Sequence, residues 1–196
     1  MKDVFISGWC GYPELFGDFA SGFEFVVPFV THSLQDIEEL IAKGGRNLFA
    51  WSTGAYLMLD RIERPPFTNI VLVSPFMKFT KYTPARVLET MIRRFADVPA
   101  QVVADFYKSC GCDTGHVPDE RHFHINLNGL KFLLRTEIDE IDWDIDGVTL
   151  LHGLDDRIVS VEASRDINWM YPSSRLVEVH SAGHFIPPET LKKYKI

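Results

Sequence analysis

The sequence predicts an α/β fold, a mostly parallel sheet flanked by helices and interrupted by an inserted helical cap. Short apolar runs bounded by glycine alternate with segments whose apolar residues recur at helical spacing, the pattern of parallel strands joined by crossover helices. That alternation stops after Pro75 and resumes at Val148, leaving a long stretch with helical signals and no strand signal between two core strands. At 196 residues, 46 % of them hydrophobic and 15 of them Phe, the chain can furnish one well-filled core.

Taken in order, Val4, Phe5 and Ile6 and then residues 23–27 are branched or aromatic runs that read as buried strands. In residues 31–45 the period changes. Leu34, Ile37, Leu40 and Ile41 share one helical face, Ser33 and Asp36 resemble a capping box, and Gly44 is a natural stop. Residues 47–51 then read as a strand, 53–63 as a helix ending before Pro65 and Pro66, and 70–73 as another strand. Beyond Pro75 come helix-like stretches at 84–95 and 99–109, a loop rich in His and Pro, and a helix at 127–136. The sheet pattern returns with strand 148–151, helix 161–171, strand 175–179 and a short terminal helix. We therefore expect a core built from residues 1–75 and 147–196 and a cap, residues 76–146, that forms a lid over a site. Residues 137–146 alternate carboxylates with Ile and Trp and read as a solvated return into the sheet, a metal site being the other reading.

A net charge of −7 argues against nucleic acid as a partner, because a phosphate backbone rewards a basic surface. The apolar run after Met1 is too short for a signal peptide core, and no stretch reaches the roughly 18 apolar residues of a membrane span. The expectation is a soluble, cytoplasmic protein without a membrane partner. Three cysteines, an odd number, fit a reducing compartment, and the spacing of Cys110 and Cys112 is not that of a zinc knuckle. His116, His122 and His124 fall in the cap without matching Cys or carboxylate spacing, so no metal is expected there.

The chemistry-bearing candidates lie where strands end. In Ala50-Trp51-Ser52-Thr53-Gly54 a strand feeds directly into a helix, and a serine at the apex of so sharp a turn has its hydroxyl lifted above the sheet edge, with small residues two positions away on each side. A serine hydroxyl must lose a proton as it attacks, so it needs a base. His184, in Ser181-Ala-Gly-His184-Phe-Ile-Pro187, follows the last predicted strand and reaches the same edge. His152, at a strand end, reads as a packed histidine. The imidazole in turn needs a buried carboxylate, and Asp155 and Asp156 compete for that role in the loop after the strand at 148–151. A developing oxyanion needs two N–H donors, the loss of one costing about 3 kcal/mol of barrier. Thr53 offers one, and Trp9, between Gly8 and Gly11, offers the other. Cys10 beside it has no helix following it and does not read as a nucleophile.

Ser52, Asp156 and His184 occur in the chain order of the α/β-hydrolase superfamily, and the elbow, the Ser7-Gly8-Trp9 loop, the segment from His152 to Val159 and Ala182 to Pro187 occupy corresponding places. On these motifs the chain resembles a shortened α/β-hydrolase. The resemblance favours Asp156 as the acid, since a single residue separates it from Ile158 and Val159, the D-x-I-V spacing that ends such loops in serine hydrolases. Within the superfamily the chain is most similar to the pimeloyl-acyl carrier protein methyl ester esterases of biotin synthesis, through Gly8-Trp9, Trp51-Ser52, the lid length and lid segments around Arg94, Asp105 and Leu127. Resemblance implies a serine carboxylesterase with no metal or organic cofactor, an acyl ester substrate and an acyl carrier protein partner. Its substrate contacts would be Trp9, Phe95, Phe106 and Phe123, with Met91, Val98 and Val102 as further apolar candidates. An acidic carrier would dock on Arg93 and Arg94, aided by Arg86, Lys108 and Arg121; a solvated helix face is the competing reading. Two other functions stay open: a general short-chain esterase or thioesterase without a carrier, and a non-catalytic binding protein of the same fold.

Overall fold

A computed structural model describes residues 3–112 and 115–196. Met1 and Lys2, where the sequence reading starts the core, and Asp113 and Thr114, inside the expected cap, lie outside the described residues. The core is a six-stranded sheet of β1 (Val4–Ile6), β2 (Glu24–Val26), β3 (Gly45–Trp51), β4 (Phe67–Val73), β5 (Thr149–Gly153) and β6 (Arg175–Val179). The strands lie in the order β2-β1-β3-β4-β5-β6, and every pairing is parallel. All carboxyl ends therefore meet at one edge. Between β1 and β3 the strand order reverses, which opens a crevice at that edge where α/β sheets place their ligands.

Parallel strands covered on both faces have no polar side, which is why they read as continuous apolar runs. Alternate residues divide between two cores: Phe5, Phe49, Trp51, Val71, Val73 and Leu151 face one, and Val4, Ile6, Leu48, Ala50, Leu72 and Leu150 face the other. The second face is covered by α1 (Leu34–Ala42), α2 (Thr53–Leu59) and Ile167 of α7 (Glu162–Met170). The capping box at α1 forms as read: Ser33 Oγ accepts from Asp36 N, and the Asp36 carboxylate accepts from Ser33 N. Gly44 follows at φ 65°, the left-handed conformation a helix stop requires.

Over the first face lie short α3 (Phe79–Tyr82) and the longer α4 (Ala85–Phe95), α5 (Pro99–Cys110) and α6 (Phe123–Leu133). Two helices differ from the sequence reading by more than one residue at an end. α2 stops at Leu59, capped through Asp60 N to Tyr56 O, because the chain must already turn toward Pro65. α6 starts at Phe123 and ends at Leu133, displaced toward the N-terminus from the predicted 127–136. Asp119 accepts from Arg121 N and starts a single turn of 3-10 helix that runs straight into α6, while Thr136 donates to Leu133 O and closes its end. Terminal α8 (Pro188–Leu191) completes the elements.

In residues 137–146, Ile141, Trp143 and Ile145 are buried in the second core, whereas Asp142, Asp144 and Asp146 are exposed. The described residues contain no group of three or more His, Cys, Asp or Glu side chains placed to hold a metal ion. None of the helices among the described residues is long and apolar enough to cross a membrane.

Helix α2 lies so tightly under the exit of β1 that a Cβ at Gly54 would come within 2.3 Å of Ile6 O and 2.7 Å of Ser7 O, both backbone atoms that cannot swing aside. Gly54→Ala is accordingly expected to lower stability by about 1–3 kcal/mol. The check is a fall in the urea midpoint at unchanged m-value; a midpoint equal to wild type would contradict this packing.

Candidate active site

With β3 ending at Trp51 and α2 beginning at Thr53, Ser52 alone makes the turn, at φ 54° and ψ −112°. A non-glycine residue held there costs on the order of 1–3 kcal/mol, so its surroundings must fix it. Ser52 N donates to Val73 O at 2.8 Å on the next strand, and Tyr56 N donates to Ser52 O at 2.9 Å within the helix. A Cβ at Gly8 would approach Ser52 Cβ to 3.0 Å, so the glycine lets the loop after β1 pass the elbow without displacing it.

The structure brings Ser52, His184 and Asp156 together. His184 Nδ1 lies 2.7 Å from Asp156 Oδ2, and His184 Nε2 lies 2.8 Å from Ser52 Oγ. A carboxylate only accepts, so Nδ1 carries the imidazole proton and Nε2 is left to accept from the Ser52 hydroxyl. His184 is fully buried and Ser52 is 5 % exposed, which shields the relay from bulk water while leaving the hydroxyl reachable. One anchor of this loop was not read from the sequence: the buried indole of Trp51 donates to His184 O at 2.8 Å, and Ser74 Oγ donates to the same carbonyl at 3.3 Å. A tryptophan directly before the candidate nucleophile was the available signal.

Asp156 is saturated with donors. Its Oδ1 accepts from Ile158 N at 2.8 Å and Val159 N at 2.9 Å, and its Oδ2 accepts from His184 and lies 3.1 Å from His152 Nε2, whose N–H is directed chiefly at Val159 O. Burial by itself would raise the carboxyl's pKa; the charge of His184 and hydrogen bonds from both histidines outweigh it and hold Asp156 well below the usual carboxylate range. Asp155 is exposed to solvent, so the structure turns it away from the imidazole. His152 is packed, as read, yet its ring also touches the acid.

Trp9 and Thr53 line a small recess together with Gly8 and Asn126, and among the described residues neither N–H is engaged in a hydrogen bond. The Trp9 indole donates to Asn126 O at 2.7 Å and so ties the β1 loop to α6 of the cap. Cys10 adjoins it at φ 52° but is buried, which pushes its thiol well above the ordinary range and leaves it an inert neutral group.

A cavity of about 50 Å³ opens beside Ser52. Trp9, Leu88, Met91, Phe106, Leu130 and Leu133 supply most of its apolar wall, with Thr83, Ile158 and exposed Arg157 also on it. Of the apolar candidates, then, Trp9, Phe106 and Met91 reach the cavity. Phe95 and Phe123 do not; they stack edge to face at 6.0 Å, with Phe95 buttressing the Trp9 ring from 6.1 Å. Val102 is buried in the cap core and Val98 faces solvent. Arg93 and Arg94 also lie away from the cavity, exposed on α4: Arg93 bonds Thr90 Oγ1 and Arg94 pairs with Asp105 at 3.1 Å. Sequence reading missed Leu88, Leu130 and Leu133, which differ from neighbouring core leucines only in where their helices cross the serine.

No protein-family model and no curated protein matches the sequence. Solved structures do. An esterase from Exiguobacterium antarcticum superposes with a TM-score of 0.67 at 13 % identity, covering 100 % of this chain and 90 % of its own. An α/β hydrolase from a Medee basin deep-sea metagenome does so with a TM-score of 0.56 at 12 % identity, covering 99 % and 86 %. The fold is that of the α/β-hydrolases. BioG from Haemophilus influenzae shares it too, with a TM-score of 0.63 at 12 % identity over 93 % of this chain and 88 % of that one. In this fold the turn at Ser52 and the loops carrying His184 and Asp156 leave β3, β6 and β5 at one edge, which lets residues as far apart in sequence as Ser52 and His184 meet.

The ionisation of Asp156 gives a signed pH dependence. Its folded pKa lies below the unfolded value near 4, so its stabilisation is fully present above about pH 4 and is lost as pH falls through the folded value. We expect Asp156→Asn to cost on the order of 2 kcal/mol at neutral pH, and the gap from wild type to close on acidification below about pH 4. Urea titrations across that range check it; a gap that widened with acid would reverse the sign.

Proposed function

We propose that the protein is a serine carboxylesterase that hydrolyses an acyl ester. The observation that carries this reading is the continuous chain of hydrogen bonds from Ser52 through His184 to Asp156, with the serine on the wall of an apolar cavity. In the mechanism, Ser52 Oγ attacks the ester carbonyl while His184 Nε2 takes its proton, and Asp156 stabilises the imidazolium so formed. The Trp9 and Thr53 N–H groups receive the tetrahedral oxyanion. His184 returns the proton to the departing alcohol, and water, activated by the same imidazole, then clears the acyl-enzyme. A protein that only bound a ligand would have no physical need for this relay at the mouth of the cavity.

The finer reading is the methyl ester of pimeloyl-acyl carrier protein, in biotin biosynthesis in the cytoplasm. It is supported by the motif resemblance, by the apolar wall of the cavity, and by Arg86 and Arg93, exposed on one helix as docking groups for an acidic carrier. The competing reading, a general short-chain esterase or thioesterase without a carrier, draws support from Arg94 and Arg121, whose charges are already paired with Asp105 and Asp119.

A fluorophosphonate probe is expected to label the wild type and spare Ser52→Ala, with ester turnover in that variant reduced by up to roughly a million-fold. Equal labelling of both proteins would remove Ser52 from the mechanism. For the carrier, Arg93→Glu is expected to lower kcat/KM on the carrier-linked methyl ester about tenfold or more while leaving free methyl pimelate unaffected, since a docking charge acts on encounter. Equal effects on both substrates would favour the reading without a carrier.

A further inference from the structure

We propose that His152 is a positioning residue for the triad acid, a second imidazole whose Nε2–H, shared between Val159 O and Asp156 Oδ2, holds the carboxylate against His184. This rests on the esterase reading and goes beyond the triad. The ring is fully buried at the end of β5, and both nitrogens are committed. Nε2 lies 2.9 Å from Val159 O and 3.1 Å from Asp156 Oδ2, two atoms that only accept, so it must carry the proton. Nδ1 is then an acceptor, and Ser164 Oγ of α7, itself fully buried, donates to it at 2.7 Å. The serine thus fixes the tautomer, the tautomer presents N–H to the acid, and the acid orients His184.

The arrangement has two chemical effects. Asp156 Oδ2 is approached by two imidazoles from opposing elements, His184 on the loop after β6 at 2.7 Å and His152 on β5 at 3.1 Å, which holds the carboxylate in place when His184 becomes cationic. The second donor also draws charge from Oδ2, which moderates the hold of Asp156 on the imidazolium and lets His184 release its proton to the leaving alcohol. Other ionisable groups face this cluster from each packed element. Cys110 on α5 is neutral through burial, and Lys108 of the same helix is exposed. Glu178 on β6, opposite His152 in register, is tied to Arg165 of α7, with His180 close by. Asp155 and Arg157 of the acid loop are exposed.

The test compares wild type, His152→Gln, which can keep a donor where Nε2 stands, His152→Leu, which cannot, and Ser164→Ala, which frees Nδ1. In His152→Leu we expect kcat to fall about tenfold at unchanged KM, and the acid limb of the kcat/KM profile to move up by about half a pH unit. His152→Gln restores the limb, and Ser164→Ala shifts it in the same direction by less. A merely structural role would lower thermal stability without moving the limb. Coincident limbs in all four proteins would overturn the proposal, and should His152→Leu fail to fold, coincidence of Ser164→Ala with wild type would do so. Should the wild type prove to have no esterase activity, the esterase reading falls. The low-field proton resonance between His184 and Asp156 then decides the positioning role by itself: a changed shift in His152→Leu or Ser164→Ala supports it, and an unchanged one overturns it.

Discussion

A serine held at φ 54° between a buried strand and a helix persists only where its surroundings leave the chain no other path. Here the path is closed by backbone: Val73 O takes the Ser52 N–H, Tyr56 N takes its carbonyl, and Gly8 and Gly54 let the β1 loop and α2 approach too closely for any side chain. The strain is not isolated. Cys10, Ser74 and Ser181 also hold positive φ, in the loops that leave β1, β4 and β6. Unfavourable backbone is thus concentrated at the one edge where the chemistry-bearing side chains emerge, and the two apolar cores on either side of the sheet compensate it.

The three groups of the relay are positioned by different means. Ser52 is fixed by its own backbone. His184 depends on other elements, because its loop is anchored through a carbonyl that receives the Trp51 indole and the Ser74 hydroxyl. Asp156 is fixed by saturation: with three hydrogen bonds on two oxygens and the His152 ring 3.1 Å from one of them, its carboxylate has one orientation that satisfies every contact. Such a buried charge is tolerated only when fully paired, so the same contacts that make it ionise also make it rigid.

The cap is joined to the core by aromatic packing and by a few directed bonds. Trp9 stands at the junction, its backbone beside the serine, its indole bonded to α6, and its ring edge to face with Phe106 at 4.8 Å. Thr83 of the cap donates to Ile158 O in the acid loop, and Tyr107 donates to Cys10 O at 2.8 Å in the β1 loop. The acid loop and the β1 loop are therefore touched by these helices, as is the His184 loop, where Phe185 N donates to Cys110 O at 3.0 Å.

By itself the sequence determined what is written in local pattern. Period, caps and breakers gave the parallel α/β layout, the capping box of α1, the interruption by helices after β4, and the elbow at Ser52. Residue chemistry and loop position singled out His184 and narrowed the acid to Asp155 or Asp156. Tertiary structure decided what depends on neighbours distant in the chain. It put Asp156 rather than Asp155 beside the imidazole, since adjacent residues point in different directions and only packing selects one. It sent Phe95 and Phe123 behind Trp9 and brought Leu88, Leu130 and Leu133 to the cavity, because every apolar residue on a helical stripe looks alike until a crossing helix covers it. And it gave His152 a partner, as the burial that made it read as a packed histidine is also what brings its N–H to the acid.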